Sequence, residues 1–255
     1  MDEKIEKLIQ YIEDSRNIVF FGGAGVSTGS GIPDFRSADG LYNQHDVNFD
    51  EYTPEYLLSR DCLYHNPKVF FEFYRQKMDT RQCVPNITHE VLAQMERQGK
   101  ISAIITQNID GLHQRAGSNK VYEIHGTTKE NYCMKCGKEY DENFIFDSEG
   151  IPRCSSCGEG IIRPRVVLYG ERLPTYETNA SYMAISEADM LIVGGTSLTV
   201  QPAARMINNF SGRHLVVINK EHISIQTNPE TDLVFNTSIG EVFRAVKAAL
   251  DKKND

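Results

Sequence analysis

The sequence contains no long hydrophobic run and no apolar segment at its amino terminus. Its longest apolar runs, such as Ile18 to Phe21 and Met190 to Val193, are far shorter than the ~20 residues that a membrane-spanning helix needs. The chain begins Met-Asp-Glu-Lys, so the apolar region of a secretory signal peptide is not visible. We therefore expect a cytoplasmic protein without a membrane partner.

Basic residues are too few for general nucleic-acid binding. The 27 lysines and arginines stand against 35 aspartates and glutamates, which gives a formal net charge of −8. Binding to nucleic acid needs a basic footprint that the chain as a whole lacks, so we expect no such partner. The acidic excess is explained either by solubility alone or by a surface that attracts a basic peptide.

Internal repeats and low-complexity tracts are also missing. A chain of 255 residues, 40% of them hydrophobic, can bury a full core, which excludes a disordered chain, a collagen-like fibre and a disulfide-rich miniprotein. We expect one to two domains in a monomer. The six cysteines should be reduced, and the isolated Cys62 and Cys83 are predicted to be small buried apolar residues.

Short apolar runs alternate with helical segments along the chain. Apolar spacing predicts helices over residues 3–13 and about 240–252. Runs typical of buried parallel strands lie at 17–21, 101–106, 190–193, 214–218 and 232–235. This alternation predicts an α/β fold, with a Rossmann-like parallel sheet covered by helices on both faces.

Two stretches interrupt the alternation and are predicted to form a second, smaller domain. Residues 33–85 lack strand character and hold helical pieces such as Pro67 to Met78, whereas residues 126–165 hold four cysteines. We expect 126–165 to be a zinc-binding module that joins the helical insertion 33–85 in the small domain. The Rossmann-like domain would then comprise 1–32, 86–125 and 166–255.

Glycine-rich or polar loops follow several of the predicted strands, and ligands of parallel sheets bind beyond such strand ends. The first loop, Gly23 to Thr28, should open a helix and let backbone approach a pyrophosphate, although a plain tight turn explains the glycines equally well. No acidic residue ends the next strand, which disfavours an ordinary nicotinamide dehydrogenase. Asn219, at a later strand end, could hold the adenosine ribose instead.

The four cysteines other than Cys62 and Cys83 have the spacing of a zinc site. Cys133 and Cys136 form one Cys-x-x-Cys pair, and Cys154 and Cys157 form another, seventeen residues further on. Four thiolates fill a tetrahedral shell and leave no position for a reacting water, so we predict one structural zinc. The alternatives are a redox dithiol and chance.

Two further segments offer groups suited to catalysis. Thr106 to His113 places Gln107, Asn108 and Asp110 after a predicted strand, where they could bind a carboxamide or ribose hydroxyls, or merely cap a helix. His125 follows the segment Val121 to Ile124 and is the best candidate for a general base, with a structural histidine as the alternative.

Taken together, these motifs resemble those of the sirtuins, the NAD-dependent protein deacylases, and the chain looks like a compact prokaryotic form. The matching stretches run in the family's order over residues 15 to 247. They are Gly23 to Arg36, Thr106 to Gly117, His125-Gly126, the four cysteines, Val167 to Glu171, Gly195 to Leu198 and Ile218-Asn219.

The resemblance implies a cleft between the two domains that NAD and an acyl-lysine peptide enter from opposite sides. It implies catalytic roles for His125 and Asn108, and an acyl-lysine tunnel lined by Val167 and Tyr169. Residues 33 to about 45 would form the mobile cofactor loop. The residues implied to contact NAD are Ala24, Thr28, Asp34, Phe35, Arg36, Gln107, Ile109, Asp110, Thr196, Ser197, Asn219 and Ile239.

The activity implied is NAD-dependent protein-lysine deacetylation, which releases nicotinamide and O-acetyl-ADP-ribose. The substrate's amide oxygen would attack the ribose as nicotinamide leaves, and neutral His125 would remove a proton, with His113 as the next candidate base. Where the succinyl-removing branch has Tyr-x-x-Arg, this chain has Tyr74 and Lys77, so acetyl should be preferred. ADP-ribosyl transfer to protein, removal of longer or acidic acyl groups, a dehydrogenase and a zinc-ribbon nucleic-acid module are the alternatives.

Overall fold

A computed structural model describes residues 2–35, 37, 40, 41 and 49–252 of the chain. The described part contains a six-stranded parallel sheet, as expected for a Rossmann-like fold. Its strands are β1 (Ile18–Gly22), β2 (Ile101–Thr106), β3 (Val121–Glu123), β7 (Met190–Gly194), β8 (His214–Asn219) and β9 (Leu233–Asn236). Their order across the sheet is β3-β2-β1-β7-β8-β9.

Both faces of this sheet are buried, which explains why its strands are continuously apolar rather than alternating. Along β1, Ile18 and Phe20 point into one apolar layer, whereas Val19 and Phe21 point into the other. The first layer contains side chains of α1 (Asp2–Asp14), α5 (Ile87–Arg97) and α9 (Ile239–Lys252), and the second contains side chains of α8 (Thr175–Glu187) and the 3₁₀ helix Ala203–Asn209. The prediction of helices on both faces is confirmed.

The cysteine-bearing insertion forms a small antiparallel sheet. Its strands are β4 (Gly126–Cys133), β5 (Glu139–Asp141) and β6 (Ile162–Val166), in the order β5-β4-β6. The short helix α7 (Asn143–Phe146) lies between β5 and β6 in the chain.

The helical insertion packs on this small sheet. It contains α2 (Pro54–Leu57), α3 (Arg60–His65) and α4 (Pro67–Met78), the last with the predicted bounds. An apolar cluster joins Phe70, Phe71 and Tyr74 of α4 to Ile145 and Ile162 of the cysteine-bearing insertion. Two segments distant in sequence therefore share one core.

None of the helices in the described part of the chain combines the length and the hydrophobicity that a bilayer crossing requires. The longest of them, α1, α8 and α9, carry polar residues throughout.

Candidate functional site

The loop after β1 is joined to the loop after β7 by backbone hydrogen bonds. The Gly25 N–H donates to the Gly195 carbonyl at 2.8 Å, and the Gly23 N–H donates to the Gly194 carbonyl at 3.3 Å. A Cβ at Gly25 would lie 2.9 Å from the Gly195 Cα, so a side chain would force the two loops apart. The glycines therefore permit a close backbone approach, as expected, although the approach shown is between two loops of the protein.

The prediction that this loop opens a helix is wrong in its detail. The chain forms two successive 3₁₀ turns, Ala24–Val26 and Thr28–Ser30, and Gly31 then takes a left-handed φ of 83°. Glycine is costly in an α-helix but adopts positive φ freely, which explains the early stop. The Asn86 amide also donates to the Val26 carbonyl at 2.8 Å. The argument for phosphate binding from an α-helix N-terminus therefore does not apply here.

Three polar side chains behind the glycine loop form a buried hydrogen-bond network. The Ser27 hydroxyl donates to the Asp110 carboxylate at 2.6 Å and accepts from the Asn108 amide at 3.0 Å. Ser27, Asn108 and Asp110 are 1%, 9% and 4% exposed. Asp110 also accepts the Leu112 N–H at 2.9 Å, at the start of the one-turn helix α6 (Leu112–Arg115), whose N-cap residue is Gly111. The Asp110 carboxylate thus joins the network and supports the start of this helix, although neither Asn108 nor Asp110 is its N-cap residue.

Gln107 connects three strand ends. Its N–H donates to the Gly22 carbonyl at 3.0 Å, and its side-chain amide donates to the Thr196 hydroxyl at 2.9 Å. Its own carbonyl lies 3.0 Å from His125 Nδ1. The loops after β1, β2, β3 and β7 are thus linked to one another at the same edge of the sheet.

His125 is held in one tautomer at this edge. A carbonyl oxygen can only accept, so Nδ1 carries the proton toward Gln107 and Nε2 keeps its lone pair. Burial lowers the pKa of His125 below its ordinary value, and the bond to the Gln107 carbonyl opposes that shift only in part. A neutral imidazole with a free Nε2 lone pair is the form that a general base needs.

The candidates for the adenosine end lie around β7 and β8. Ile239 is buried against Gly194, where an added Cβ would lie 2.4 Å from the isoleucine Cδ1. The Ser197 hydroxyl lies 2.8 Å from the Thr199 hydroxyl on an exposed turn. The Asn219 amide donates to the Glu221 carbonyl at 2.8 Å and lines a small cavity of about 70 Å³.

The predicted NAD contacts of the glycine motif and part of the predicted cofactor loop, 33–45, can be placed. Ala24 and Thr28 of the motif lie in the 3₁₀ turns, where Thr28 is exposed. The Asp34 carboxylate accepts the Ser37 N–H at 2.8 Å, and Phe35 packs against the core of the small sheet. Arg36 and most of the segment 33–45 lie outside the described residues.

The substrate segment, residues 166–171, contains the predicted substrate contacts Val167 and Tyr169 and runs beside His125. The Val167 N–H donates to the His125 carbonyl at 2.8 Å, and Tyr169 exchanges backbone hydrogen bonds with Leu58 and Arg60. Among the residues that the structure describes, no donor reaches the carbonyl of Val167. That carbonyl is thus available to an external N–H group. Tyr169 is 36% exposed.

The four paired cysteines meet at one point. Their sulfur atoms all lie within 4.8 Å of one another, as ligation of one ion requires. The N–H groups of Lys135 and Cys136 point at Cys133 Sγ at 3.4 Å. Burial alone would raise the pKa of the Cys154 thiol, but hydrogen bonds, first that of Tyr140, outweigh it and bring the pKa to about 6. Four cysteine sulfur atoms in this arrangement fit Zn²⁺ and confirm the metal prediction.

The structure also decides the remaining histidine and cysteine predictions. His113 is 1% exposed, packs against His89, and has no hydrogen-bond partner for either ring nitrogen among the described residues. Burial, and next the neighbouring His89, lower its pKa well below the ordinary value, and a side chain this deeply buried does not reach a bound substrate. Cys62 is fully buried as predicted, whereas Cys83 is only partly buried.

Comparisons with known proteins agree with this geometry. The Sir2 family model matches residues 23–202. The chain belongs to the Sir2 family. It is 53% identical to an NAD-dependent protein deacetylase of Clostridium perfringens, over 96% of this chain and 99% of that protein.

Solved Sir2 structures share the fold over nearly the whole chain. One holds a deacetylated peptide and 3′-O-acetyl-ADP-ribose; it is 35% identical, has a TM-score of 0.85, and the match covers 96% of this chain and 98% of that one. Another, of Sir2 with a peptide and NAD⁺, is also 35% identical, with a TM-score of 0.82 and coverage of 97% and 98%. The fold expected from the family resemblance is confirmed.

One residue of this Sir2 protein's network carried no sequence-based assignment. Ser27 lies inside the glycine motif, yet its hydroxyl is the link between Asn108 and Asp110. The only signal was its position two residues after Gly25, on a loop expected to meet the next strand end. Hydroxyl groups are common in glycine loops, so composition alone did not distinguish it.

Proposed function

We propose that this protein is an NAD-dependent protein-lysine deacetylase that releases nicotinamide and O-acetyl-ADP-ribose. The observation that carries the proposal is the placement of His125 beside the buried Ser27–Asn108–Asp110 network and the glycine loop, at one edge of the sheet. Relatives of matching length are NAD-dependent protein deacetylases. Solved relatives bind NAD⁺ and acetylated peptide.

NAD fits the residues at this edge. The residues that would contact it, catalytic Asn108 aside, are Ala24, Thr28, Asp34, Phe35, Arg36, Gln107, Ile109, Asp110, Thr196, Ser197, Asn219 and Ile239. Asn108 and Asp110 present an amide and a carboxylate, the groups that complement a carboxamide, and both are already oriented by Ser27. NAD would supply the ribose carbon that nicotinamide leaves and that the acyl oxygen joins.

His125 would move the proton in the later part of the reaction. Its lowered pKa keeps the imidazole neutral at pH 7, and the Gln107 carbonyl directs the Nε2 lone pair away from the sheet edge's own backbone. A base in this state can accept a proton from a ribose hydroxyl. The departure of nicotinamide requires that NAD be positioned, and it needs little help from a base. We assign this positioning to Asn108 and Asp110.

The acyl-lysine would bind along Val167 and Tyr169. The carbonyl of Val167 can accept the substrate's amide N–H, since no donor among the described residues occupies it. Leu168, between them, is buried in the core of the small sheet and fixes the alternation of the segment. A neutral acetyl-lysine enters an apolar tunnel more easily than a charged lysine, because an unpaired ammonium is costly to bury.

The zinc would be structural. Cys133, Cys136, Cys154 and Cys157 would fill its coordination shell, leaving no open position for catalysis. It would fix the end of β4, which carries Cys133, and with it the neighbouring strand β6, which leads into the substrate segment. The proposed small domain comprises the zinc-binding module 126–165 and the insertion 33–85, and its shared apolar core supports this division. The rest, 1–32, 86–125 and 166–255, would be the Rossmann-like domain.

We propose a cytoplasmic setting and a basic peptide as the partner. Thiols that bind a metal suit a reducing compartment such as the cytoplasm. The net charge of −8 favours a basic peptide over nucleic acid as the partner. We propose a monomer, which light scattering on the purified protein would test.

Product analysis tests the reaction directly. The protein is incubated with NAD and an acetyl-lysine peptide, and the products are identified by mass spectrometry. We expect free lysine peptide, nicotinamide and O-acetyl-ADP-ribose in equal amounts. A peptide that gains the mass of ADP-ribose would instead show ADP-ribosyl transfer, and turnover confined to succinyl or long acyl chains would overturn the acetyl preference.

A further inference from the structure

The substrate segment, residues 166–171, begins at the last residue of β6 and is held by hydrogen bonds along most of its length. The Leu168 N–H donates to the Glu171 carboxylate at 3.0 Å, and the Glu171 N–H donates back to the Leu168 carbonyl at 2.9 Å. Tyr169 is bound on both sides, by the Leu58 carbonyl at 3.0 Å and the Arg60 N–H at 2.9 Å. These hydrogen bonds hold the segment in one conformation, and Glu171 links its end back to Leu168.

Arg163 lies beneath the substrate segment and holds both of its ends. Its guanidinium donates to Glu171 Oε1 at 2.6 Å, to Glu171 Oε2 at 3.0 Å and to the Val166 carbonyl at 2.9 Å. The arginine is 6% exposed and its guanidinium lies 5.6 Å from the Tyr132 ring centroid. One side chain thus joins the start of the segment to its last residue.

Arg163 and Glu171 each stabilise the charged form of the other. Burial would raise the pKa of Glu171, yet hydrogen bonds from Arg163 and Leu168 hold it below its ordinary value. A buried ion pair is seldom a net gain in stability over apolar residues of the same size. What such a pair does supply is fixed geometry, because a planar guanidinium meets a carboxylate through two parallel N–H bonds.

We propose that Arg163 and Glu171 are positioning residues for peptide binding, which fix the backbone of residues 166–171 in the form that receives the substrate. This inference rests on the proposed function, in which Val167 and Tyr169 contact the acyl-lysine. Lysine cannot replace Arg163, since a single ammonium cannot hold both carboxylate oxygens and the Val166 carbonyl in the same plane.

Arg165 provides a matched control on the same strand. Its guanidinium pairs with Glu130 at 2.9 Å and Glu139 at 2.8 Å, and it also lies 5.3 Å from the Tyr132 ring centroid. Its ion pairs thus stay within the small sheet. Arg165→Lys makes the same chemical change as Arg163→Lys, two residues away, without touching the Glu171 carboxylate.

The test compares peptide and NAD binding in Arg163→Lys, Glu171→Gln and Arg165→Lys. Calorimetry gives the Kd of an acetyl-lysine peptide and of NAD separately, and steady-state kinetics gives each KM and kcat. We expect about tenfold weaker peptide binding and a matching rise in peptide KM for the first two variants. NAD binding and the Arg165→Lys control should match the parent, whereas general loss of structure would weaken both ligands.

Zinc content and thermal melting establish that each variant is folded. Should Arg163→Lys fail to fold, Glu171→Gln decides by the same readout, because its amide oxygen still accepts the Leu168 N–H. If the parent binds the peptide and the folded variants bind it equally tightly, this inference is overturned while the proposed function stands. A parent that binds no acetyl-lysine peptide would contradict the proposed function, and this inference with it.

Discussion

Backbone hydrogen bonds join neighbouring loops directly at the edge of the six-stranded sheet, whereas at the three-stranded sheet a cysteine cluster and a buried ion pair add side-chain links to the backbone hydrogen bonds. The Gly25–Gly195 and Gln107–Gly22 contacts join neighbouring strand ends through N–H and carbonyl groups. On the small sheet the corresponding links are the cluster of four cysteine side chains and the Arg163–Glu171 ion pair. The two sheets thus reach a defined geometry by different means.

The difference follows from how each sheet is covered. The large sheet has an apolar layer on each face, so the ends of its strands are fixed by the packing of the whole unit. The three short antiparallel strands share one apolar core with the helical insertion, and the cysteine cluster and the Arg163–Glu171 pair fix the geometry beside it. Replacing His125 at the edge of the large sheet should therefore change chemistry, whereas replacing one of these side chains at the small sheet should change metal content or peptide binding.

The largest effect is expected at His125. His125→Ala should lower the deacetylation rate by roughly 10²–10⁴-fold, the usual contribution of a positioned base. Folding, peptide binding, NAD binding and some exchange of labelled nicotinamide should remain, because these depend on the loops and not on the imidazole. Since the pKa of His125 is lowered, parent activity should persist as the pH falls through the ordinary histidine range and be lost only below it.

Two variants accompany this measurement. His65→Ala removes an exposed histidine and should leave both activities intact. Asp110→Asn should impair nicotinamide exchange itself, since it disturbs the network with Ser27. If folded His125→Ala deacetylates within about threefold of the parent, against the expected loss, the base lies elsewhere.

Cys154→Ser should have the next largest effect, and through the opposite route. Loss of one thiolate weakens zinc binding, and structural zinc affinity is folding free energy. We expect loss of zinc, a lower melting temperature and, as a consequence, low activity. Cys83→Ser is the control, since Cys83 lies outside the cluster. A Cys154→Ser protein that is active and melts as the parent does, or an active parent without zinc, would argue against a structural metal.

Sequence was sufficient for features that depend on local pattern. The strands 101–106 and 214–218 and the helix 67–78 follow from apolar runs, and the structure has them within a residue. The cysteine cluster follows from spacing alone, because two Cys-x-x-Cys turns can meet around one ion wherever the chain allows it. The parallel direction of the strands also follows from the sequence, because helical segments between successive strands act as the crossovers that parallel strands need.

Features that depend on contacts distant in sequence were out of reach. Helix α8 has apolar and polar residues on all sides, so it lacked a periodic signal. The glycine motif gave no sign that it ends in 3₁₀ turns, which result from Asn86 and Gly195 packing against it. The link through Ser27 likewise requires β1 and β2 to be neighbours. The individual roles of the site residues remain predictions.

A smaller effect is expected at the backbone contact of the large sheet. Gly25→Ala places a methyl group 2.9 Å from the Gly195 Cα, and overpacking of this kind costs about 1–3 kcal/mol. We expect a lower melting temperature and a higher KM for NAD, with peptide binding unchanged. Gly29→Ala is the matched control, because its methyl group would meet only the Asn86 side chain, at 3.3 Å. Equal behaviour of the two variants would show that the loop contact has no special role.

The smallest effect is expected for acyl-group preference, on helix α4. Tyr74 is fully buried there, stacked on Phe70 and Phe146 with ring centroids 5.7 and 5.4 Å away, and burial raises the pKa of its hydroxyl. If Lys77, one turn on, faces the acyl group, Lys77→Arg should raise the succinyl-to-acetyl ratio of kcat/KM. A bidentate contact exceeds a single one by roughly 1 kcal/mol, which is about fivefold.

The control for this helix is Lys68→Arg, the same substitution at its exposed start. It should leave the ratio unchanged, so a rise in both variants would reflect charge geometry at the surface rather than the acyl group. An unchanged ratio in Lys77→Arg would show that α4 does not contact the acyl group. Preference would then depend on Val167 and Tyr169 of the substrate segment, whose shape Arg163 and Glu171 hold.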